Sequence, residues 1–182
     1  MRCVIQRAAR AEVRVDGEVT GRIGPGLVVL AAFAAGDREA ELSWMAAKLP
    51  DLRVFNDEAG KINLSLRDVG GAILLVSQFT LYGDCRKGNR PSFIASAPPA
   101  RAAALYARFG VLLRAQGVPV EEGRFGAMME VDLVNAGPVT LVIDRERPAA
   151  DRPAPPDPGR LAPAEPDAPA SADPDRPRGE VA

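Results

Sequence analysis

The 182 residues predict an α+β protein: a mostly antiparallel, barrel-like β-sheet with two principal helices, followed by a disordered C-terminal tail. Three observations carry this reading. Short apolar runs, alternating or unbroken and β-branched, recur from residue 2 to 144 between turns rich in glycine. Only two stretches, near 38–49 and 99–116, instead repeat apolar residues at three- and four-residue steps. Ten of the seventeen prolines fall in 145–182, among Ala, Asp and Arg, where too little apolar surface exists to offset the entropy of ordering. The chain thus reads as one domain over 1–144 and a Pro/Ala-rich disordered tail over 145–182.

Residues 2–15 form the first strand: Val4 and Ile5 lead in, then Ala11, Val13 and Val15 alternate with Glu12, Arg14 and Asp16. Asp16-Gly17 is a strong two-residue hairpin signal, and Val19 and Ile23 carry the return strand to a second turn at Gly24-Pro25-Gly26. The unbroken apolar run Leu27–Phe33 marks a central strand. Asp37 is placed to cap a helix over 38–49, in which Trp44 serves as a packing residue and which Pro50 closes. Leu52–Phe55 and Ile62–Leu64 flank a polar turn, giving a second hairpin. Gly70-Gly71 then launches Ala72-Ile73-Leu74-Leu75-Val76, continuous enough for a strand buried on both faces. Pro98-Pro99 opens the second helix, with Ala102, Leu105, Tyr106, Phe109, Leu112 and Leu113 on one face and Gly117 at its end. Val120–Glu122 is a short strand. Met128–Val134 and Val139–Ile143 are two last strands, joined through an Asn135-Ala136-Gly137-Pro138 turn.

Composition narrows the chemistry. The chain contains no histidine, which removes Ser-His-Asp and Cys-His catalysis and any zinc site built on imidazole. Cys3 and Cys85 are too few and too far apart for a disulfide framework or a thiolate metal site, so both read as reduced thiols in a cytoplasmic protein without metal or other cofactor. No window approaches the roughly 18 apolar residues of a membrane span, and the N-terminus lacks a signal-peptide pattern. Net charge is -1, so any nucleic-acid contact must come from a local patch. Arg86-Lys87-Gly88-Asn89-Arg90 is the candidate.

Two polar constellations stand out. The central strand ends in Ser77-Gln78-Phe79-Thr80, where hydroxyls and a carboxamide at the mouth of a dry strand need partners. A rigid strand end is where a fold can hold a site, yet such groups also commonly bond their own backbone. The second is Asn135-Ala136-Gly137-Pro138-Val139-Thr140, where an X-Pro bond tolerates cis geometry and glycine admits close approach to the main chain. Taken alone, it reads first as an ordinary strand connection.

Together these stretches resemble the two signature motifs of the D-aminoacyl-tRNA deacylase family, the D-tyrosyl-tRNA deacylase type. Further matches are Ile5-Gln6-Arg7, Gly21 to Gly26, Gly70-Gly71, Arg90-Pro91-Ser92-Phe93, and Gly123-Arg124-Phe125-Gly126 with Met129, so the likeness spans roughly 1–144 in order. The resemblance implies hydrolysis of the ester between a D-amino acid, or glycine, and the 3′ terminal adenosine of tRNA. It also implies a homodimer with sites at the subunit interface. On that basis Ser77, Gln78, Phe79 and Thr80 are catalytic, the main-chain N–H groups near Phe79 and Thr80 holding the developing oxyanion. Gly137-Pro138 is a cis dipeptide that one subunit inserts into the other's site to exclude L side chains. Arg7 holds that dipeptide, and Asn135 and Met129 belong to the substrate-binding, chirally selective set. Tyr82-Gly83 departs from the small residues expected after the first motif.

A threonine hydroxyl without an adjacent base is a poor nucleophile, and Asp84, the nearest carboxylate, is a weak base at neutral pH. The residues therefore point to attack by water, aided by the 2′-hydroxyl of the tRNA. Three other readings compete: a non-catalytic tRNA- or RNA-binding module using Arg86, Lys87 and Arg90; a cysteine hydrolase using Cys85; and a purely structural dimer.

Overall fold

The computed structural model describes residues 1–145; the expected tail lies, from residue 146 on, outside the described residues. Strand β1 (Arg2–Val15) turns through Asp16 (φ 52°) and Gly17 (φ 80°), the positive-φ pair that a tight hairpin requires, into β2 (Glu18–Ile23). After Gly24-Pro25, β3 (Gly26–Ala32) continues along the same edge of β1, Ala11 standing opposite Ile23 and Ala8 opposite Gly26. The other edge of β1 is covered by β8 (Glu130–Asp144), antiparallel from Arg2 opposite Asp144 to Arg14 opposite Glu130.

Strand β6 (Ala72–Ser77) lies parallel to β3, and β7 (Val120–Glu122) parallel to β6. The sheet is therefore mixed: antiparallel around β1, parallel beyond β3. Parallel neighbours need long crossovers, and both crossovers here hold a helix: α1 (Glu39–Lys48) before β6 and α2 (Pro99–Arg114) before β7. β4 (Phe55–Asn56) and β5 (Ile62–Leu64) form a separate small hairpin. The sheet curls into a nearly closed barrel, with β2 folded over β6 and β7. A methyl group on Gly21 would stand 3.0 Å from the Glu122 carbonyl and 3.1 Å from Leu74 Cδ1, so glycine sets that close approach.

Strand alternation sorts two cores. Val13, Ile23, Val28, Leu74 and Val76 fill the barrel, while Ile5, Leu27, Val29, Ile73 and Leu75 point outward and pack against Leu42 and Met45 of α1 and Phe109 and Leu113 of α2. Ile73–Leu75 are fully buried, as expected for a strand with neighbours on both faces.

Three local expectations are corrected. Asp37 does not cap α1: its carboxylate accepts from the Met1 ammonium (2.7 Å) and the Ala34 N–H (2.8 Å), while Glu41 accepts from the Arg38 N–H (2.9 Å) at the helix start. Trp44 is not a core residue; it is 37% exposed, with the Arg145 guanidinium 4.9 Å from its ring centroid. The two expected last strands are one strand, because β1 runs alongside both halves, and Asn135–Pro138 is no turn but part of an irregularity within β8. Among the described residues no helix is long and apolar enough to cross a membrane.

Candidate active site

Ser77 is the last residue of β6 in register with β3, opposite Ala31, and the Gln78 N–H donates to the Ala31 carbonyl (2.8 Å). The chain then tightens into a 3-10 turn, Phe79–Tyr82, with Leu81 N–H donating to the Gln78 carbonyl (3.2 Å). The first N–H groups of such a turn, those of Phe79 and Thr80, have no acceptor within it and face outward from its start. The Gln78 carboxamide donates to Thr80 Oγ1, and the Ser96 hydroxyl donates to the Phe79 carbonyl (3.1 Å). The Phe79 ring meets Phe93 edge-on at 5.1 Å. Gly83 makes room for that pair, since a Cβ there would stand 3.0 Å from Phe93 Cε1.

These residues edge a cavity of about 410 Å³ lined by Ala31–Phe33, Val76–Thr80, Ala97, Ala102, Phe125–Met129 and Val131. No side chain in that lining is ionisable. Its far wall is the segment after β7, held where Tyr106 of α2 donates to the Leu75 (2.9 Å) and Gly123 (3.2 Å) carbonyls. Phe125 lies 5.7 Å from the Tyr106 ring, and Met129 Sδ takes the space a side chain on Gly123 would need. Burial, and then the nearby Glu122 carboxylate, push the Tyr106 phenol above its ordinary range, which keeps it a donor.

Asp84 and Arg86, the first charged groups after the motif, pair with each other. Hydrogen bonds from the Arg86 side chain and N–H hold the exposed Asp84 carboxyl down at about 2, the guanidinium donating to both oxygens (2.9 and 2.7 Å). Asp84 is therefore a still poorer base than its sequence position suggests, and Arg86 is not an unpaired phosphate ligand. Cys85 is exposed; the buried Cys3 thiol is pushed up to about 12 by desolvation. Among the described residues, no three His, Cys, Asp or Glu side chains come together as a metal site.

Arg7, Asn135, Gly137 and Pro138 are not in the cavity lining. They gather where Ala136–Val139 stand opposite the single residue Arg7, between the pairs Gln6–Thr140 and Ala8–Asn135. The Gly137-Pro138 peptide in this bulge is cis. Arg7 is only 8% exposed and donates from Nε to the Ala136 carbonyl (2.5 Å), and from Nη1 to the Val54 carbonyl (2.5 Å) and Asn56 Oδ1 (2.9 Å). One chain thus brings Ser77, Gln78, Phe79, Thr80 and Met129 to one place and Arg7, Asn135, Gly137 and Pro138 to another. Sequence reasoning missed Ala97, Ala102 and Phe125 as lining residues. Ala102 shares the apolar face of α2 with Tyr106, a pattern that reads only as core.

Fold and site together define a small α+β barrel whose cavity presents main-chain groups, hydroxyls and a carboxamide, with no titratable side chain. The chain belongs to the D-Tyr-tRNA(Tyr) deacylase family, whose model matches residues 4–144. It is 57% identical over 152 residues to the D-aminoacyl-tRNA deacylase of Thermus aquaticus, covering 84% of this chain and 100% of that one. It is 56% identical over 147 residues to the D-aminoacyl-tRNA deacylase of Desulfitobacterium hafniense, covering 81% and 99%. Among solved structures it resembles the c-Myc DNA unwinding element binding protein, with TM-score 0.77 and 41% identity over 81% of this chain and 100% of that chain.

Proposed function

We propose that this chain hydrolyses D-aminoacyl-tRNA, releasing the amino acid and free tRNA. The observation that carries the reading is the cavity itself: main-chain N–H groups and the Ser77 and Gln78 side chains at a rigid strand end, with no ionisable lining residue. Such a site cannot remove a proton from a nucleophile, but it can hold an ester carbonyl and stabilise the charge that develops on its oxygen. Water attacks the carbonyl carbon, the bond to the adenosine oxygen breaks, and that oxygen takes a proton. The neighbouring 2′-hydroxyl of the substrate relays the proton in place of a protein base. The N–H groups of Phe79 and Thr80 face the oxyanion, and Met129 bounds the substrate.

Selectivity in this reading comes from Gly137-Pro138 of a second copy, and two features support a homodimer. The bulge lies outside the cavity of its own chain, and β8 pairs with β1 alone among the described residues, leaving its outer edge open. That edge strand exposes Val131, Leu133 and Val134, an apolar surface suited to a twin. Main-chain atoms of Gly137-Pro138 then exclude any L side chain, with Arg7 and Asn135 supporting them, while glycine passes.

The test is hydrolysis of D-, L- and glycyl-tRNA by the purified protein with EDTA present throughout. Loss of the D- and glycyl esters with the L-ester spared is expected. Survival of all three sinks the hydrolase reading and favours a non-catalytic nucleic-acid-binding module, the reading that the name of the DNA unwinding element binding protein invites. Against that module stands the pairing of Arg86 with Asp84, which removes a cation from its patch. A tRNA carrying a 2′-deoxy terminal adenosine should be hydrolysed far more slowly; an unchanged rate would remove the 2′-hydroxyl from the mechanism.

A further inference from the structure

We infer that the Gln6 carboxamide is the positioning group that holds the Gly137-Pro138 bulge in shape, through Asn135 on one shoulder and Val139 and Thr140 on the other. This rests on the reading of Gly137-Pro138 as the chiral filter. The ladder between β1 and β8 breaks at this point, with the four residues Ala136–Val139 set opposite Arg7 alone, so regular strand pairing does not hold the bulge. Side chains of β1 take over. Arg7 secures the Ala136 carbonyl just before Gly137. Gln6 secures the other side: its Nε2 donates to the Val139 carbonyl (3.1 Å), directly after Pro138, and to Asn135 Oδ1 (2.5 Å), while its Oε1 accepts from the Thr140 hydroxyl (2.5 Å). Both amide donors and the amide acceptor are used, all on residues that flank the same dipeptide.

The link from Gln6 to Gly137 is also steric. A Cβ on Gly137 would stand 2.6 Å from Asn135 Nδ2 and 2.9 Å from Asn135 Oδ1, so the Asn135 carboxamide lies flat against the bare glycine. Gln6 fixes that carboxamide, and the carboxamide braces the Gly137 main chain. A main-chain filter discriminates only as sharply as its atoms are held, since the excluded side chain differs from the admitted hydrogen by a displacement of little more than a bond length. Loosening the brace therefore admits the wrong substrate before it disables the right one.

The experiment compares kcat/KM for D- and L-esters of the same aminoacyl-tRNA in Gln6→Leu, Thr140→Val and Gly137→Ala, each checked by thermal melting. Gln6→Leu keeps the bulk and removes all three hydrogen bonds; the D-to-L ratio is expected to fall about 10-fold, through a rise in the L-ester rate. Thr140→Val, which alters one exposed hydroxyl and keeps the test alive where Gln6→Leu fails to fold, is expected to lower the ratio about 3-fold. Combined with Gln6→Leu it should add nothing, because both act through one network. A ratio shifted by Gly137→Ala but by neither of the other variants overturns the role of Gln6 and leaves the filter reading standing. A ratio unmoved by all three overturns the filter reading itself.

Discussion

Replacing Thr80 with valine removes one hydroxyl at nearly constant volume, and its surroundings set the expected cost. Thr80 Oγ1 accepts a hydrogen bond from the Gln78 carboxamide, a neutral pair at an exposed position. Such a bond contributes about 1 kcal/mol net, and if all of it were felt in the transition state the rate would fall ~5-fold. A true nucleophile behaves differently, since removing one costs on the order of 10^6-fold in kcat. No group stands ready to activate the hydroxyl: the chain has no histidine, the cavity lining is uncharged, and Asp84 is held at about 2 by Arg86. The assay is single-turnover deacylation of 3′-labelled D-aminoacyl-tRNA, with a melting curve to establish that the variant folds. Asp84→Asn in parallel should leave the rate nearly unchanged, and the wild-type profile should show no side-chain inflection between about pH 5 and 8. A loss on the order of 10^3-fold or more in folded Thr80→Val would falsify the water mechanism and make Thr80 a participant.

Other perturbations bear on the scaffold and the thiols. Asp37→Ala removes the counter-charge of the buried Met1 ammonium, which keeps only the Arg145 carbonyl, and the acceptor of the Ala34 N–H, so chemical denaturation should report a loss of about 3–5 kcal/mol, and a change near zero would show the pair to be dispensable. Gly26→Ala drives a Cβ to 2.0 Å from the Ala72 carbonyl; a cost of about 1–3 kcal/mol or more is expected in the denaturation midpoint, with activity falling too because the same pairing ends at Ser77. Stability should decline as pH rises above 9.0, because the unfolded chain releases the Cys3 proton there while the folded chain retains it to about 12. Cys3→Ala should flatten that decline, and an unaltered slope would assign it elsewhere. A thiol reagent at neutral pH should label exposed Cys85 and spare buried Cys3, with activity retained; inactivation would revive the cysteine hydrolase.

Much of this molecule is written locally. Asp16-Gly17 adopts the positive-φ turn its residues favour, Ala102, Tyr106, Phe109 and Leu113 form the buried face of α2, and Ile73–Leu75 form a strand buried on both sides. Ser77–Thr80 stands at the end of that strand because the apolar run stops there. These features follow from alternation, helical spacing and turn chemistry, which act over a few residues. The lack of histidine likewise constrains the mechanism whatever the fold does.

What pairs with what was settled only in three dimensions. Nothing local distinguishes β6 as the parallel neighbour of β3, since that choice depends on helical crossovers packing onto one face of the sheet. Asp37 looks like a helix cap until the Met1 ammonium arrives beside it, and Trp44 looks like core until the helix is oriented. Asn135–Pro138 reads as a turn because glycine and proline carry the same local signal in a turn and in a bulge; only β1, running alongside both halves, makes it a bulge. Gln6 matches a family motif, but nothing in the sequence names its partners until the fold sets it against residues more than a hundred positions away. Local propensity determines the elements and their buried faces. Register, strand order and the partners of polar side chains depend on long-range contacts, whose energies no short stretch of sequence contains.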